Sequence, residues 1–241
     1  MARLEVLESE LHYEANFYDN LVRVIEPQMG TPREREVALK LLTFLNDQIG
    51  LFFNLVNNDE KLIRQLKGQL NNLFQVNGDK YLDKVGEIAS TIYLIKTQTS
   101  YTLTALEFKY EASIRGRDSK DVDVLFTSKS DGHSQIVDIF NLNLNFEKIE
   151  NETLFGKLLD HRLSKKIKDK EFDSDYVKGQ FRIACVQPFI WIYDIATTLK
   201  YKSFLGAIQS EHILPLLCLR QRSDNSGRLT YDCVPVSEIE S

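Results

Sequence analysis

Apolar residues recur along this chain in two rhythms, one of three to four residues and one of two, and the change of rhythm divides it. Between residues 3 and 26, Leu4, Leu7, Leu11, Tyr18, Leu21 and Ile25 fall at spacings of three, four or seven. That is the stripe of an amphipathic helix, interrupted by Glu14. Pro27 to Pro32 breaks the pattern. Thr31-Pro32-Arg33-Glu34 then marks a new helix start: Thr31 caps, Pro32 suits the first helical position and Glu34 closes a capping box. The helix that follows carries Val37, Leu41, Phe44, Leu45, Ile49, Phe52 and Val56. Asn57-Asn58-Asp59 ends it and caps a third helix with Leu62, Ile63, Leu66, Leu70, Leu73 and Phe74. Short connections predict antiparallel neighbours. Val76-Asn77-Gly78-Asp79 is the clearest internal boundary, so residues 1–76 read as a helical subdomain and 79–241 as a second domain.

Beyond that boundary the rhythm alternates. Residues 79–98 read as a helix with Leu82, Val85, Ala89 and Ile92 on one face, and residues 101–112 as a strand through Leu103, Ala105 and Phe108. After a charged turn at 114–120, residues 121–126 and 135–145 read as two strands joined by a polar turn. Their density of Val, Ile and Phe suits burial on both faces. Residues 152–170 read as a helix with Leu154, Leu158 and Ile167 apolar and its lysines outward. Residues 181–187 form a continuous apolar run that Pro188 should stop; 190–208 reads as helix, and 214–222 with 228–236 as a hairpin. The resulting order is helix, strand, strand, strand, helix, strand. It predicts an α/β (α+β) domain with a mixed central sheet flanked by helices, preceded by the helical subdomain.

Composition narrows the class without changing the layout. The 241 residues carry 30 Lys and Arg against 35 Asp and Glu, a net charge of −5. Any nucleic-acid surface must therefore be local. Cys185, Cys218 and Cys233 share no metal-ligand spacing, and Cys185 and Cys218 sit in apolar runs as buried thiols do. The charged N-terminus lacks the apolar core of a signal peptide. No apolar run approaches the ~20 residues needed to span a bilayer. The expectation is a cytoplasmic protein without membrane contact. There is no GxxxxGK[ST] loop and no GxGxxG after a strand, so nucleotide binding has no support. His12, His133, His161 and His212 are scattered, and no local motif assembles a nucleophilic triad.

Two of the buried-type strands each hold an aspartate, Asp123 in DVDVLF and Asp138 in IVDIFN, 15 residues apart. Charge in such a run is paired or binds metal. An acid on the second strand and another on the third, in this element order, resembles the PD-(D/E)XK nuclease superfamily, the restriction-endonuclease-like fold, over roughly residues 79 to 190. The resemblance implies that Asp123, with Asp121 as the register alternative, and Asp138 hold a divalent metal, usually magnesium, for hydrolysis of DNA or RNA phosphodiesters. Glu87 in VGEIAS matches the glutamate that often assists from the first helix. The family's lysine, two residues after the third-strand acid, is replaced here by Phe140. In some relatives that lysine comes from the following helix, where Lys157, Lys165, Lys166 and Lys168 are available. The other reading of the departure is a nuclease fold that has lost catalysis and serves as a binding or assembly subunit.

Each of these residues also has a plain structural reading. Asp121 beside a charged turn suits solvent. Glu87 lies away from the Leu82-Val85-Ala89-Ile92 face and reads as a solvated glutamate, with only Leu94 suggesting that its side is covered. Lys157, Lys165, Lys166 and Lys168 suit either contact with a phosphate backbone or a solvated helix face. Phe189 and Trp191 read as core. The apolar helices of residues 1–76, with Phe44, Phe52 and Phe53, predict either mutual packing or a homodimer or partner contact.

Overall fold

The computed structural model describes residues 44, 47–57, 59–75, 79–113, 119–142, 151–190, 210–223 and 229–239. The predicted helix over 3–26, the helix start at 31–34, the boundary at 76–78, most of the turn at 114–120, the strand tail at 143–145 and the helix body over 191–208 lie outside the described residues. The chain divides into two compact units: residues 1–92 with 221–232, and residues 93–220 with 233–241.

In the first unit residues 47–55 are helical, and α1 follows at Glu60–Gln75. Asp59 caps α1 as its sequence predicts, its Oδ1 accepting the Leu62 N–H at 3.0 Å. Phe44, Ile49, Phe52, Val56, Leu62, Leu66 and Leu70 are buried, and Phe44 meets the Tyr231 ring edge-on. Two of the three phenylalanines read as interface anchors, Phe44 and Phe52, are thus spent on the unit's own core. Helix α2, Asp79–Thr97, buries Val85, Ile88, Ala89, Ile92 and Leu94. The burial of Leu94 shows that the side of the helix away from Val85, Ala89 and Ile92 is covered too.

Six strands form one mixed open sheet in the order β1 to β6: Tyr101–Glu111, Ser119–Ser128, Ser134–Asn141, Ile183–Ile190, Leu217–Ser223 and Leu229–Pro235. The predicted α/β architecture is the observed one; the first three strands stand near the predicted runs 101–112, 121–126 and 135–145, and the fourth begins in the continuous apolar run at 181–187. β1, β2 and β3 are antiparallel neighbours, whereas β3 with β4 and β4 with β5 are parallel. The β2–β3 turn uses Gly132 at φ +72°, where a side chain would be strained. The parallel step from β3 to β4 needs a crossover. It is made by α3, Glu152–Asp169, and a short α4, Asp175–Gln180.

Helix α3 starts at Asn151, whose side chain accepts the Leu154 N–H at 2.9 Å. Its buried stripe is Phe155, Leu159 and Leu163, extended by Ile167, in one core with Tyr110, Val122, Ile136, Phe172, Phe181, Ala184 and Val186. Leu154 and Leu158, predicted to face the core, are instead exposed. Spacing explains the difference. Phe155, Leu159 and Leu163 repeat every four residues and include the bulkiest side chain, so they take the sheet and turn Leu154 and Leu158 outward.

Pro188 does not stop β4 but lies inside it, opposite Phe140 of β3. Val186 uses its N–H and C=O toward His212 and Leu214, on the β5 side. By alternation the absent N–H of Pro188 falls on that same side, where regular pairing resumes only at Phe189 with Leu217. The gap is closed by the Gln187 amide, which donates to the carbonyls of Pro215 at 2.7 Å and Pro188 at 3.0 Å.

Candidate active site

The site grows from a fault in the sheet at Asp123. Toward β1, the ladder pairs Leu106 with Val124 and Phe108 with Val122 but skips Glu107, which holds φ +49°. Toward β3, the ladder ends at Val124 with Val137, one step before Asp123 and Asp138 would face each other. The half-buried Asp123 takes over part of the missing ladder: its Oδ2 accepts the backbone N–H of Ile139 at 2.6 Å. This bond places the Asp123 carboxylate against the peptide that follows Asp138. Bulges and positive φ on non-glycine residues cost energy and concentrate where a sheet must re-aim side chains.

Asp138 is buried on β3, and two ammonium groups neutralise it. Lys170 Nζ lies 2.8 Å from Oδ1 and Lys166 Nζ lies 2.8 Å from Oδ2. The Lys166 contact is an ion pair off hydrogen-bond angles, and Oδ2 has no hydrogen-bond partner among the described residues. Lys166 Nζ also stands 5.2 Å over the centre of the Phe140 ring, a cation–π arrangement. Lys170 reaches further, to the exposed Asp121, with Oδ1 at 3.1 Å and the backbone carbonyl also bonded.

The backbone holds Lys170 in place. It is the C-cap of α3, and Glu171 follows at φ +53°. Phe172 N–H donates to Ile167 O and Glu171 N–H to Lys168 O, the paired bonds of a Schellman turn. Tyr110 of β1 donates its hydroxyl to the Lys170 carbonyl at 2.6 Å, stacks on Phe172 and meets Phe181 edge-on. Burial, and then the Asp138 carboxylate, push the Tyr110 phenol well above its ordinary value, so it stays a donor.

Burial alone would lower the Lys170 ammonium, but Asp138 and Asp121 together outweigh it and hold the group above the usual lysine value. The hydrogen bond from Lys170 holds Asp121 below the usual carboxylate value. A raised lysine contributes stability that is complete below its unfolded value of about 10.4 and is lost as pH rises through the folded value. A lowered aspartate contributes above about pH 4 and loses this as pH falls through its folded value. The difference in melting temperature between wild type and Lys170→Met should therefore be widest at about pH 6–9 and narrow above about pH 10.5. Thermal unfolding across that range measures it, and a gap that widens at high pH would contradict the assignment.

Of the residues predicted for the site, the structure gathers Asp121, Asp123, Asp138 and Lys166. Lys157, Lys165 and Lys168 are exposed on α3. Glu87 belongs to the first unit, is half-buried rather than solvated, and pairs with Lys84 one turn earlier. Lys170 and Tyr110 were not predicted as site residues. A signal for Lys170 exists: at 100° per residue, Lys166 and Lys170 lie on the same side of α3 as Phe155, Leu159 and Leu163. A stripe drawn through Leu154 and Leu158 hides it.

The chain matches no protein-family model, no curated protein and no solved structure. No helix among the described residues is long and apolar enough to cross a membrane.

Proposed function

We propose that the second unit is a metal-dependent phosphodiester hydrolase acting on DNA or RNA, with Lys166 supplying the ammonium whose strand position is taken by Phe140. The observation that carries this reading is the 2.8 Å contact between Lys166 Nζ and Asp138 Oδ2, made from the helix that follows the strand. The observed order α2-β1-β2-β3-α3-α4-β4, with the acids on β2 and β3, supports the PD-(D/E)XK reading. Asp123 and Asp138 suit a hard cation such as magnesium, which takes oxygen ligands and keeps several waters. Asp138 Oδ2, buried and without a hydrogen bond, is the donor atom with spare lone pairs. When bound, the cation would supply a water of lowered pKa and neutralise charge on the phosphate. Lys166 would stabilise charge developing on that phosphate, and the exposed Lys157, Lys165 and Lys168 would follow the backbone of the nucleic acid. We place the protein in the cytoplasm.

A second reading is a nuclease fold that binds without cutting, as a binding or assembly subunit. It is favoured by the two ammonium groups already on Asp138, which leave that carboxylate neutralised. A homodimer or partner contact through the N-terminal helices would serve it. Among the residues whose burial is described, 44, 47–57 and 59–70 leave no large hydrophobic side chain exposed to make such a contact.

Calorimetric titration with magnesium or manganese separates the two. Hydrolysis predicts a binding heat in wild type that vanishes in Asp123→Ala and Asp138→Ala. It also predicts cleavage of labelled DNA or RNA that stops in chelator. Equal heats in all three proteins, or cleavage that persists in chelator, would rule the metal site out; nucleic-acid binding without heat or cleavage would establish the second reading.

A further inference from the structure

We propose that Asp138 has one fixed and one exchangeable counter-ion: Lys170 is a positioning residue built into the fold, and Lys166 is the group that leaves Asp138 when a divalent cation enters. The exchange rests on the metal-dependent reading above; the fixed role of Lys170 does not.

The two lysines are held differently, although both stand 2.8 Å from the same carboxylate. Lys170 is tied at both ends. Its backbone is the C-cap enclosed by the Schellman turn, its carbonyl accepts the Tyr110 hydroxyl, and its ammonium joins Asp138 to two atoms of Asp121. It thereby links the end of α3 to β1, β2 and β3. Its side chain is 14% exposed. Lys166 sits one turn earlier, inside the helix, and its side chain is 25% exposed. Its ammonium meets Asp138 off hydrogen-bond angles and otherwise rests over the Phe140 ring. Moving Lys166 away breaks one ion pair and exposes a group already near water. Moving the Lys170 ammonium away breaks its ties to Asp138 and to two atoms of Asp121, which join β3 and β2 to the helix end. With Lys166 withdrawn, Asp138 keeps one counter-ion, and the site changes from an excess of one positive charge to a balanced pair that repels an incoming cation less.

The test uses the full chain and two separate readouts. Without metal, Lys170→Met should lower the melting temperature by about 10 °C, and Lys166→Met by less than about 3 °C. Lys170→Arg should regain more than half of the loss. Should Lys170→Met fail to fold, Asp138→Asn in the same chain should recover folded protein, because it removes the carboxylate left half-paired. With manganese added, Lys166→Met should bind about tenfold more tightly than wild type, since a competing charge has gone. Equal losses of melting temperature in the two methionine variants would overturn the fixed role of Lys170. Weaker manganese binding by Lys166→Met would overturn the exchange. No manganese heat in either wild type or Lys166→Met would overturn the exchange together with the metal-dependent reading, while the melting temperatures still decide the role of Lys170.

Discussion

Asp138→Ala is expected to lower the stability of this protein by about 3 kcal/mol, a fall of roughly 6–12 °C in melting temperature for a chain of this size. It is also expected to abolish metal-dependent cleavage. The stability loss follows from what the substitution leaves behind. Lys166 and Lys170 keep their charges but lose the carboxylate that compensates them, and Lys170 is largely enclosed. Breaking one side of a buried pair costs more than the pair contributes, because the orphaned charge stays desolvated. Asp121→Ala is the control. That aspartate touches the same Lys170 ammonium but is 76% exposed, so its removal should cost well under about 1 kcal/mol. Thermal unfolding of the two variants side by side checks the contrast. An Asp138→Ala protein as stable as wild type would show that the Asp138 cluster is not a buried charge centre.

Lys166→Ala should reduce cleavage by roughly 10²-fold, the scale of losing one electrostatic stabiliser at a reacting oxygen. Phe140→Lys in that background should restore most of it. The reasoning is positional. Phe140 follows Asp138 by two residues on β3, so by the two-residue repeat of a strand both side chains leave the same face. The ammonium of Lys166 already lies over the Phe140 ring. A lysine at position 140 would thus start from the place that Lys166 reaches from α3. The readout is the single-turnover cleavage rate with magnesium, together with melting temperature to confirm folding. A folded double variant with no recovery would sink the assignment of Lys166, and recovery would show that one ammonium serves from either element.

Much of the fold was legible because strand and helix periods are local properties. The runs 101–112, 121–126 and 135–145 contain the observed strands to within a few residues. Local sequence also marked the Asp59 cap and the two aspartates in apolar strands, since turn chemistry and charge in a buried run are decided by near neighbours. Pro188 shows the limit. Its missing N–H disqualifies it from a strand only if the neighbouring strand needs that donor, and here the pairing to β5 is interrupted at that point. The face of α3 shows the same limit. Leu154 and Leu158 were as apolar as Leu159 and Leu163, and only the sheet beneath selected one stripe over the other.

What the sequence determined by itself was the order of elements and the presence of two acids where charge is costly. The tertiary structure decided how those acids are balanced. Asp138 meets Lys166 and Lys170 from 28 and 32 residues away in sequence, and Tyr110 holds Lys170 across a separation of 60 residues. No spacing rule reaches that far. Which lysine turns inward depends on the crossover from β3 to β4, on the stripe that α3 buries and on the Schellman turn at its end. Each of these is fixed only once the chain has packed.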